Sequence, residues 1–303
     1  MYSYFGLEKL LAEKGLTKTS LSLKVGISSR TIAKISKGEK VSNKVLDRIA
    51  SFLGCNSRDL VREISSNKIL QILRDEKEAR ISNGLYHELQ VRMAFNSNHI
   101  EGSKLSEEQT RLIFETRTIN TNEAVSIDDV IETNNHFRCV DYCIDKANEK
   151  LSEDIIKHLH YLFKQGTKDS FLPWFNVGEY KSMPNLIGEI ETAKPIEVQE
   201  KMARLLYSYN SKKVVTFDDI VCFHHDFEVI HPFKDGNGRV GRLIALKECL
   251  RLNVVPFIIE DSKKYFYYRG LDAWDKDKTY LIETCLDGQD KLKALLEKLN
   301  ISF

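Results

Sequence analysis

Strand-like alternation of apolar and polar positions is scarce along this chain, and its five prolines all lie from Pro173 onward, so the pattern predicts a mostly α-helical protein. The first sixty residues break into short helical pieces: Leu7 to Lys14, Lys18 to Val25, Ser29 to Ser36, Lys44 to Leu53, and a stub capped by Ser57. Ser, Thr or Asn residues of N-cap type open them, and Gly15, Gly26, Gly38 and Gly54 close four of them. Five short helices are expected. Polar text from Ser65 to Asp75 then suggests a joint, dividing the chain into a small unit over residues 1–64 and a larger one over 65–303. In the larger unit Leu85, Leu89, Met93 and Ile100 keep to roughly one face of a long helix, expected over about 80–102 and stopped at Gly102. A capping box at Ser106 opens the next helix; Asp128 to Ala147, Ser152 to Gly166, Glu197 to Tyr209 and Phe217 to Glu228 are further candidates. Residues 171–196 hold three of the prolines and short apolar alternations, and form the one good hairpin candidate.

With 303 residues, 42% of them apolar and 29% charged, the composition is that of a globular protein and excludes collagenous and disordered chains. No apolar run reaches membrane-spanning length and the start lacks a signal-like pattern, so the cytosol is the expected compartment and no membrane is expected as a partner. The six cysteines form no CxxC pair or Cys/His cluster and read as reduced core thiols. The net charge of +1 conceals an asymmetry. Residues 1–65 carry twelve Lys/Arg against six Asp/Glu, a surplus of six, while the rest of the chain has a deficit of five. A surplus concentrated in a short folded unit is the electrostatic footprint of a binder of phosphate backbones.

Chemistry concentrates in residues 231–242, HPFKDGNGRVGR, which follow one predicted helix and open another. Asp235-Gly236-Asn237-Gly238 cannot be regular helix, and its two glycines free the backbone to turn N–H groups toward one point at the start of the next helix, an anion nest suited to phosphate. Arg239 and Arg242 lie three apart on the first turn, where their guanidinium groups reach further anionic oxygens. Asp235, placed among these cationic groups, is best used as a ligand of a hard cation such as Mg2+. His231 can take a hydroxyl proton and return it, while Phe233 anchors the loop and Pro232 stiffens its entry.

This loop resembles the signature of the Fic family, His-Pro-Phe-x-Asp/Glu-Gly-Asn-Gly-Arg-x-x-Arg, and meets it at every fixed position. The resemblance extends more loosely over about residues 80–285. It implies transfer of AMP from ATP, with Mg2+, onto a Tyr, Thr or Ser hydroxyl of a target protein. His231 would be the general base, Asp235 the metal ligand, Gly236, Asn237 and Gly238 the α-phosphate cradle, and Arg239 and Arg242 the partners of the β- and γ-phosphates. Family members that phosphorylate their targets carry Lys where this chain has Gly238, which argues for nucleotidyl transfer. Ser97-Asn98-His99-Ile100-Glu101-Gly102 is similar to the family's inhibitory motif; on that resemblance Glu101 would pair with Arg242 and compete with the γ-phosphate. The hairpin region 176–190 looks like the family's flap, an edge that pairs with an extended target segment, with Tyr180 and Lys181 as docking residues. Tyr265-Phe266-Tyr267-Tyr268 could border the adenine or belong to the core.

Leu16 to Lys37 looks like a helix-turn-helix of the lambda-repressor/Cro class. Gly26 sits at the turn, Leu21, Val25, Ile27, Ile32 and Ile35 face inward, and Ser28, Ser29, Arg30 and Lys34 are presented to DNA. The expected whole is a self-inhibited AMP transferase behind a DNA-binding unit used for transcriptional (auto)regulation, with a homodimer as a possible assembly. The competing reading is a transcription regulator whose Fic core senses nucleotide or acts mainly in removing AMP.

Overall fold

The computed structural model describes residues 2–63, 67–187 and 190–303. Its contacts divide the chain into two compact units, residues 1–71 and 72–303. The joint expected at the 64/65 boundary lies outside the described residues, and the division falls inside a helix, Lys68–Ala79, where a polar connection was expected up to Asp75. That helix takes its place from tertiary partners: Arg74 donates to the Ile144 carbonyl at 3.1 Å and Lys77 pairs with Asp145 at 2.8 Å.

The first unit has the five short helices expected, α1 (Phe5–Glu13), α2 (Lys18–Val25), α3 (Ser29–Ser36), α4 (Asn43–Leu53) and α5 (Ser57–Leu60), although α1 opens at Tyr4 with no side-chain cap and the cap of α5 is Asn56, one residue before Ser57. Thr17 and Ser20 form a reciprocal capping box at α2, and Gly26 ends that helix in the left-handed conformation, φ 65°. Leu7, Leu21, Ile27, Ile35, Leu46, Ile49 and Leu53 fill the core, with Val25 and Ile32 packed at its margin. A short antiparallel pair, β1 (Tyr2–Ser3) with β2 (Arg62–Glu63), closes the unit by joining its two ends. No sequence pattern announced it, because two residues a side are too few for alternation to register.

In the second unit α6 (Lys68–Ala79) is followed by α7 (Leu85–Ile100), α8 (Glu107–Thr116), α9 (Ile127–Asp145) and α10 (Glu153–Lys164). A small hairpin follows, β3 (Leu186–Ile187) with β4 (Ile190–Glu191), then α11 (Pro195–Asn210), α12 (Phe217–Ile230), α13 (Asn237–Leu252), α14 (Lys264–Asp272) and α15 (Thr279–Lys298). α13 is the axis of the unit, packed by α7, α9, α10 and α12. Thirteen of its residues are buried, Arg239, Arg242, Lys247 and Glu248 among them, so its polar side chains must find partners inside the protein. The long helix expected from about residue 80 begins only at Leu85, after a turn through Arg80 and Asn83, both with positive φ. The hairpin falls inside the 171–196 candidate, its strands only two residues each, Leu186–Ile187 and Ile190–Glu191, and 176–185 is irregular. Among the described residues no helix is long and apolar enough to cross a membrane.

Candidate functional site

α12 runs straight into the loop 231–236, which turns into α13. His231 is the first residue past α12 and adopts the left-handed conformation, φ 52° and ψ 61°, with its N–H donating to the Phe227 carbonyl at 2.9 Å. A non-glycine residue in that region carries some backbone strain, here stored at the start of the loop. The His231 ring lies 3.3 Å, through Nδ1, from the Glu228 carbonyl. A carbonyl can only accept, so Nδ1 carries the proton and Nε2 keeps its lone pair. Burial, reinforced by the Lys181 charge, lowers the His231 pKa to about 4, so the ring is neutral at physiological pH.

The loop is fixed from several sides. Phe233 is fully buried and stacks on His160, ring centroids 4.0 Å apart. The Asn237 side chain clamps it: Oδ1 accepts from the Phe233 N–H at 2.8 Å and Nδ2 donates to the Phe233 carbonyl at 2.9 Å. His160 accepts from the Gly178 N–H at 2.9 Å through Nδ1 and donates to the Asp235 carbonyl at 3.2 Å through Nε2. Gly236, with φ 80°, makes the turn that starts α13. The first N–H groups of α13 have no intrahelical partner, which makes that end an anion site.

Charges converge there in two groups. In the first, Lys164 of α10 donates to Asp235 Oδ2 at 2.7 Å and to Glu132 of α9 at 2.6 Å, while Arg239 bonds Glu132 and lies 3.4 Å from both Asp235 oxygens. Burial would raise the Asp235 pKa, but Arg239 and Lys164 outweigh it and hold the carboxylate ionised, well below the usual range. In the second, Arg242 donates from Nε to Ser97 Oγ at 3.0 Å, and from Nη2 to the Ser97 carbonyl at 2.9 Å and to Glu101 Oε1 at 2.8 Å. Against the opposing effect of burial, Arg242 and Arg239 lower the Glu101 pKa. That carboxylate lies over the start of α13: a Cβ at Gly238 would stand 2.3 Å from Glu101 Oε1. A side chain at position 238 would therefore push the Glu101 carboxylate aside.

Beside these groups opens a cleft of about 530 Å³, lined among others by Glu101, Glu228, His231, Gly238, Tyr267, Tyr268 and Trp274. Its volume suits a nucleotide-sized ligand. Tyr267 and Tyr268 reach the cleft, whereas Tyr265 and Phe266 point outward. The Fic/DOC family profile covers residues 150–249, and a Cro/C1-type helix-turn-helix DNA-binding profile covers residues 6–66.

The chain carries a Fic domain.

The Fic domain and the segments around it are 24% identical over 267 residues to a protein adenylyltransferase Fic of Nematostella vectensis, spanning 81% of this chain and 55% of that protein. Fic-1 of Caenorhabditis elegans, also named a protein adenylyltransferase, is 26% identical over 57% of this chain and 34% of its own length. This chain thus spans between a third and about half of those two relatives. In fold it is similar to a Fic-domain signaling protein of Bacteroides thetaiotaomicron, TM-score 0.59 and 24% identity over 74% of this chain and 92% of that one. A fragment of Caenorhabditis elegans Fic-1 matches with TM-score 0.60 and 16% identity over 96% of this chain and 90% of the fragment.

The Fic loop gathers His231, Asp235, Gly236, Asn237, Gly238, Arg239 and Arg242 with Ser97 and Glu101 of the end of α7. Tyr180 and Lys181 stand elsewhere than expected. Lys181 is buried, its Nζ donating to Asn185 Oδ1 and Thr192 Oγ1, both at 2.6 Å, and burial together with Lys234 and Lys201 lowers its pKa to about 8. Tyr180 lies under the Lys157 ammonium, 4.6 Å from the ring centroid, and near Phe233. Lys181 thus braces the base of the hairpin, Tyr180 packs against the loop, and neither lies on the strands. In the helix-turn-helix, Ser28 is the N-cap of α3 and accepts from the Thr31 N–H at 3.2 Å, while Ser29 and Arg30 are exposed and Lys34 is half-buried. Glu132, Lys164, His160 and Asn185 escaped the sequence reading, since each is brought to the loop only by folding.

Proposed function

We propose that this chain transfers AMP from ATP to a Tyr, Thr or Ser hydroxyl of a target protein, its own hydroxyls included, and that Glu101 holds it inactive. The carrying observation is the His231 ring, neutral and with a free Nε2, beside a helix start at which a carboxylate already lies against Gly238. ATP phosphates would replace that carboxylate, held by the loop N–H groups, Arg239 and Arg242. His231 Nε2 takes the hydroxyl proton, the hydroxyl oxygen attacks the α-phosphorus, and the bond to the β-phosphate breaks, releasing pyrophosphate. The fixed guanidinium groups stabilise the charge that moves onto the leaving group. Asn237 contributes through the loop it clamps, and Gly236 and Gly238 through their exposed backbone.

Mg2+ fits this site. Asp235 keeps one oxygen, Oδ1, whose side-chain contact is the long one to Arg239, and a metal of this kind takes one or two carboxylates plus phosphate oxygens and water. Bound there, the ion would offset phosphate charge. With Glu101 in place, Arg242 is engaged and the γ-phosphate has no partner. The names of the relatives as protein adenylyltransferases support the same reading. The first unit would bind DNA through Ser29, Arg30 and Lys34, with Ser28 capping the helix that carries them, for transcriptional (auto)regulation, as a homodimer in the cytosol.

The test is incubation of the purified chain and its Glu101→Gly and His231→Ala forms with ATP labelled at the α-phosphate and Mg2+. A hydrogen-bonded charge partner is worth about 1.5–3 kcal/mol, so labelling should rise roughly 10- to 100-fold in Glu101→Gly and vanish when His231→Ala is added. Nucleotide binding without label on protein would instead favour a regulator that senses ATP.

A further inference from the structure

Glu228 of α12 is buried, only 7% exposed, and its Oε1 has no hydrogen-bond partner. It lines the same cleft as Glu101 and His231. Its carboxyl lies against the backbone of α13 beside Arg242, since a Cβ at Gly241 would stand 2.3 Å from Oε1. A hydrogen-bonded chain leads from its neighbour to the same arginine. His224 Nδ1, also without a partner, is 3.8 Å from Glu228 Oε1; His224 Nε2 is 2.8 Å from the Tyr267 hydroxyl; and Arg242 Nη1 reaches that hydroxyl at 3.5 Å. Two carboxyl groups thus approach one guanidinium, and only Glu101 touches it.

We infer that Glu228 is the reserve counter-charge of Arg242, protonated while Glu101 holds the guanidinium and ionised once Glu101 leaves, its proton passing to solvent. This is a positioning role, and it rests on the reading of Glu101 as the group that engages Arg242. The groups facing Glu228 are Glu101 from the end of α7, Arg242 from α13, Tyr267 and Tyr268 from α14, and His224 and His231 from its own helix and the loop after it. His224 is neutral, its pKa lowered by burial to about 3. Tyr267 is kept protonated by burial. Only Arg242 is cationic, and with Glu101 ionised beside it a second negative charge is poorly compensated. Burial first, with Glu101 adding to it against Arg242, raises the Glu228 pKa to about 8. Removing the Glu101 charge leaves Arg242 as a buried cation needing an anion, and Glu228 is the carboxyl next to it. Incoming phosphate would then return the proton, so that nucleotide binding to the released enzyme takes up a proton.

Infrared spectroscopy of the ligand-free full chain at neutral pH tests this directly, because a protonated carboxyl has its own C=O stretching band. The band should be present in the unsubstituted protein, absent from Glu228→Gln, and lost in both Glu101→Gly and Glu101→Gln. The Gln form keeps the side chain's size, so its loss of the band separates charge from entry of water. Persistence of the band in Glu101→Gln, or no band that Glu228→Gln removes, overturns the proposal. A second readout is thermal unfolding. A carboxyl that keeps its proton only when folded loses stability as pH rises from the ordinary 4.5 to about 8. The gain in Tm from Glu228→Gln should therefore grow over that window, and stop growing in a Glu101→Gly background; equal growth in both overturns the proposal. Absence of AMP transfer with the band behaving as described would sink the enzymatic reading alone.

Discussion

His231 sits where a helix ends, in a backbone conformation that costs energy, with Nδ1 tied to a carbonyl and its ring mostly out of water. These features serve one property, a neutral base with an available Nε2, and the property has a measurable consequence. A base works when unprotonated, so its acid limb lies at its pKa in the free enzyme, which kcat/KM reports. In Glu101→Gly, kcat/KM for AMP transfer should hold steady through the ordinary imidazole value of 6.5 and fall only near pH 4. A limb at 6.5 would show that the ring is solvated and not the base described. The residues of the loop were legible because twelve consecutive positions carry the chemistry, and Gly238 could be read as part of a phosphate cradle. The partners that hold the charged loop residues could not. Glu132 and Lys164, 107 and 71 positions from the loop residues they bind, look in the sequence like ordinary members of amphipathic helices. Their meaning comes from burial, which forces each charge to find a partner.

At the scale of elements, helix ends were more legible than helix faces. Thr17, Ser106 and Thr216 all cap as written, since a cap is a local interaction between a side chain and the next turn. α7 differs: it reads as one apolar face, yet Gln90, Asn96, Ser97 and Asn98 are buried too. Their partners lie on other elements, as with Asn98 donating to Thr133 at 3.1 Å, so polarity in the sequence misstated exposure. The hairpin is short for a related reason. Lys181, Asn185 and Thr192 bond one another, and Asn185 reaches the Phe233 carbonyl at 2.8 Å, so the segment before the strands follows the Fic loop and not its own alternation. Ser97 ties α7 to α13 in the same manner. Ser97→Ala deprives the buried Arg242 of one acceptor and should cost about 1.5–3 kcal/mol in equilibrium urea unfolding. Because Arg242 keeps the Ser97 carbonyl and Glu101, AMP transfer should rise less than in Glu101→Gly. Unchanged stability would mean that water replaces the Ser97 hydroxyl without penalty.

The whole molecule joins a basic helix-turn-helix unit to an acidic remainder that contains the Fic domain, a contrast of charge that can be counted from the sequence alone. Attraction to DNA phosphates scales with the number of cations placed on them, and removing one cation from a phosphate lowers the steepness of the salt dependence by about 0.9. Arg30 is exposed and Lys34 half-buried on α3, and Ser28 is spent on the cap, so beside the neutral Ser29 these two cations are the proposed contacts that bring positive charge to phosphate. The double variant Arg30→Ala/Lys34→Ala leaves the core of Leu21, Ile27 and Ile35 untouched and should keep its fold by circular dichroism. Its binding to duplex DNA, followed by fluorescence anisotropy at several salt concentrations, should weaken, and the slope of log K against log salt should flatten by up to about twice that amount. A slope equal to that of the unsubstituted chain would place the surplus of basic residues on a surface that does not meet DNA. The helix-turn-helix would then serve association with protein, and regulation of transcription would drop out of the proposed function while the chemistry at His231 stood unaltered.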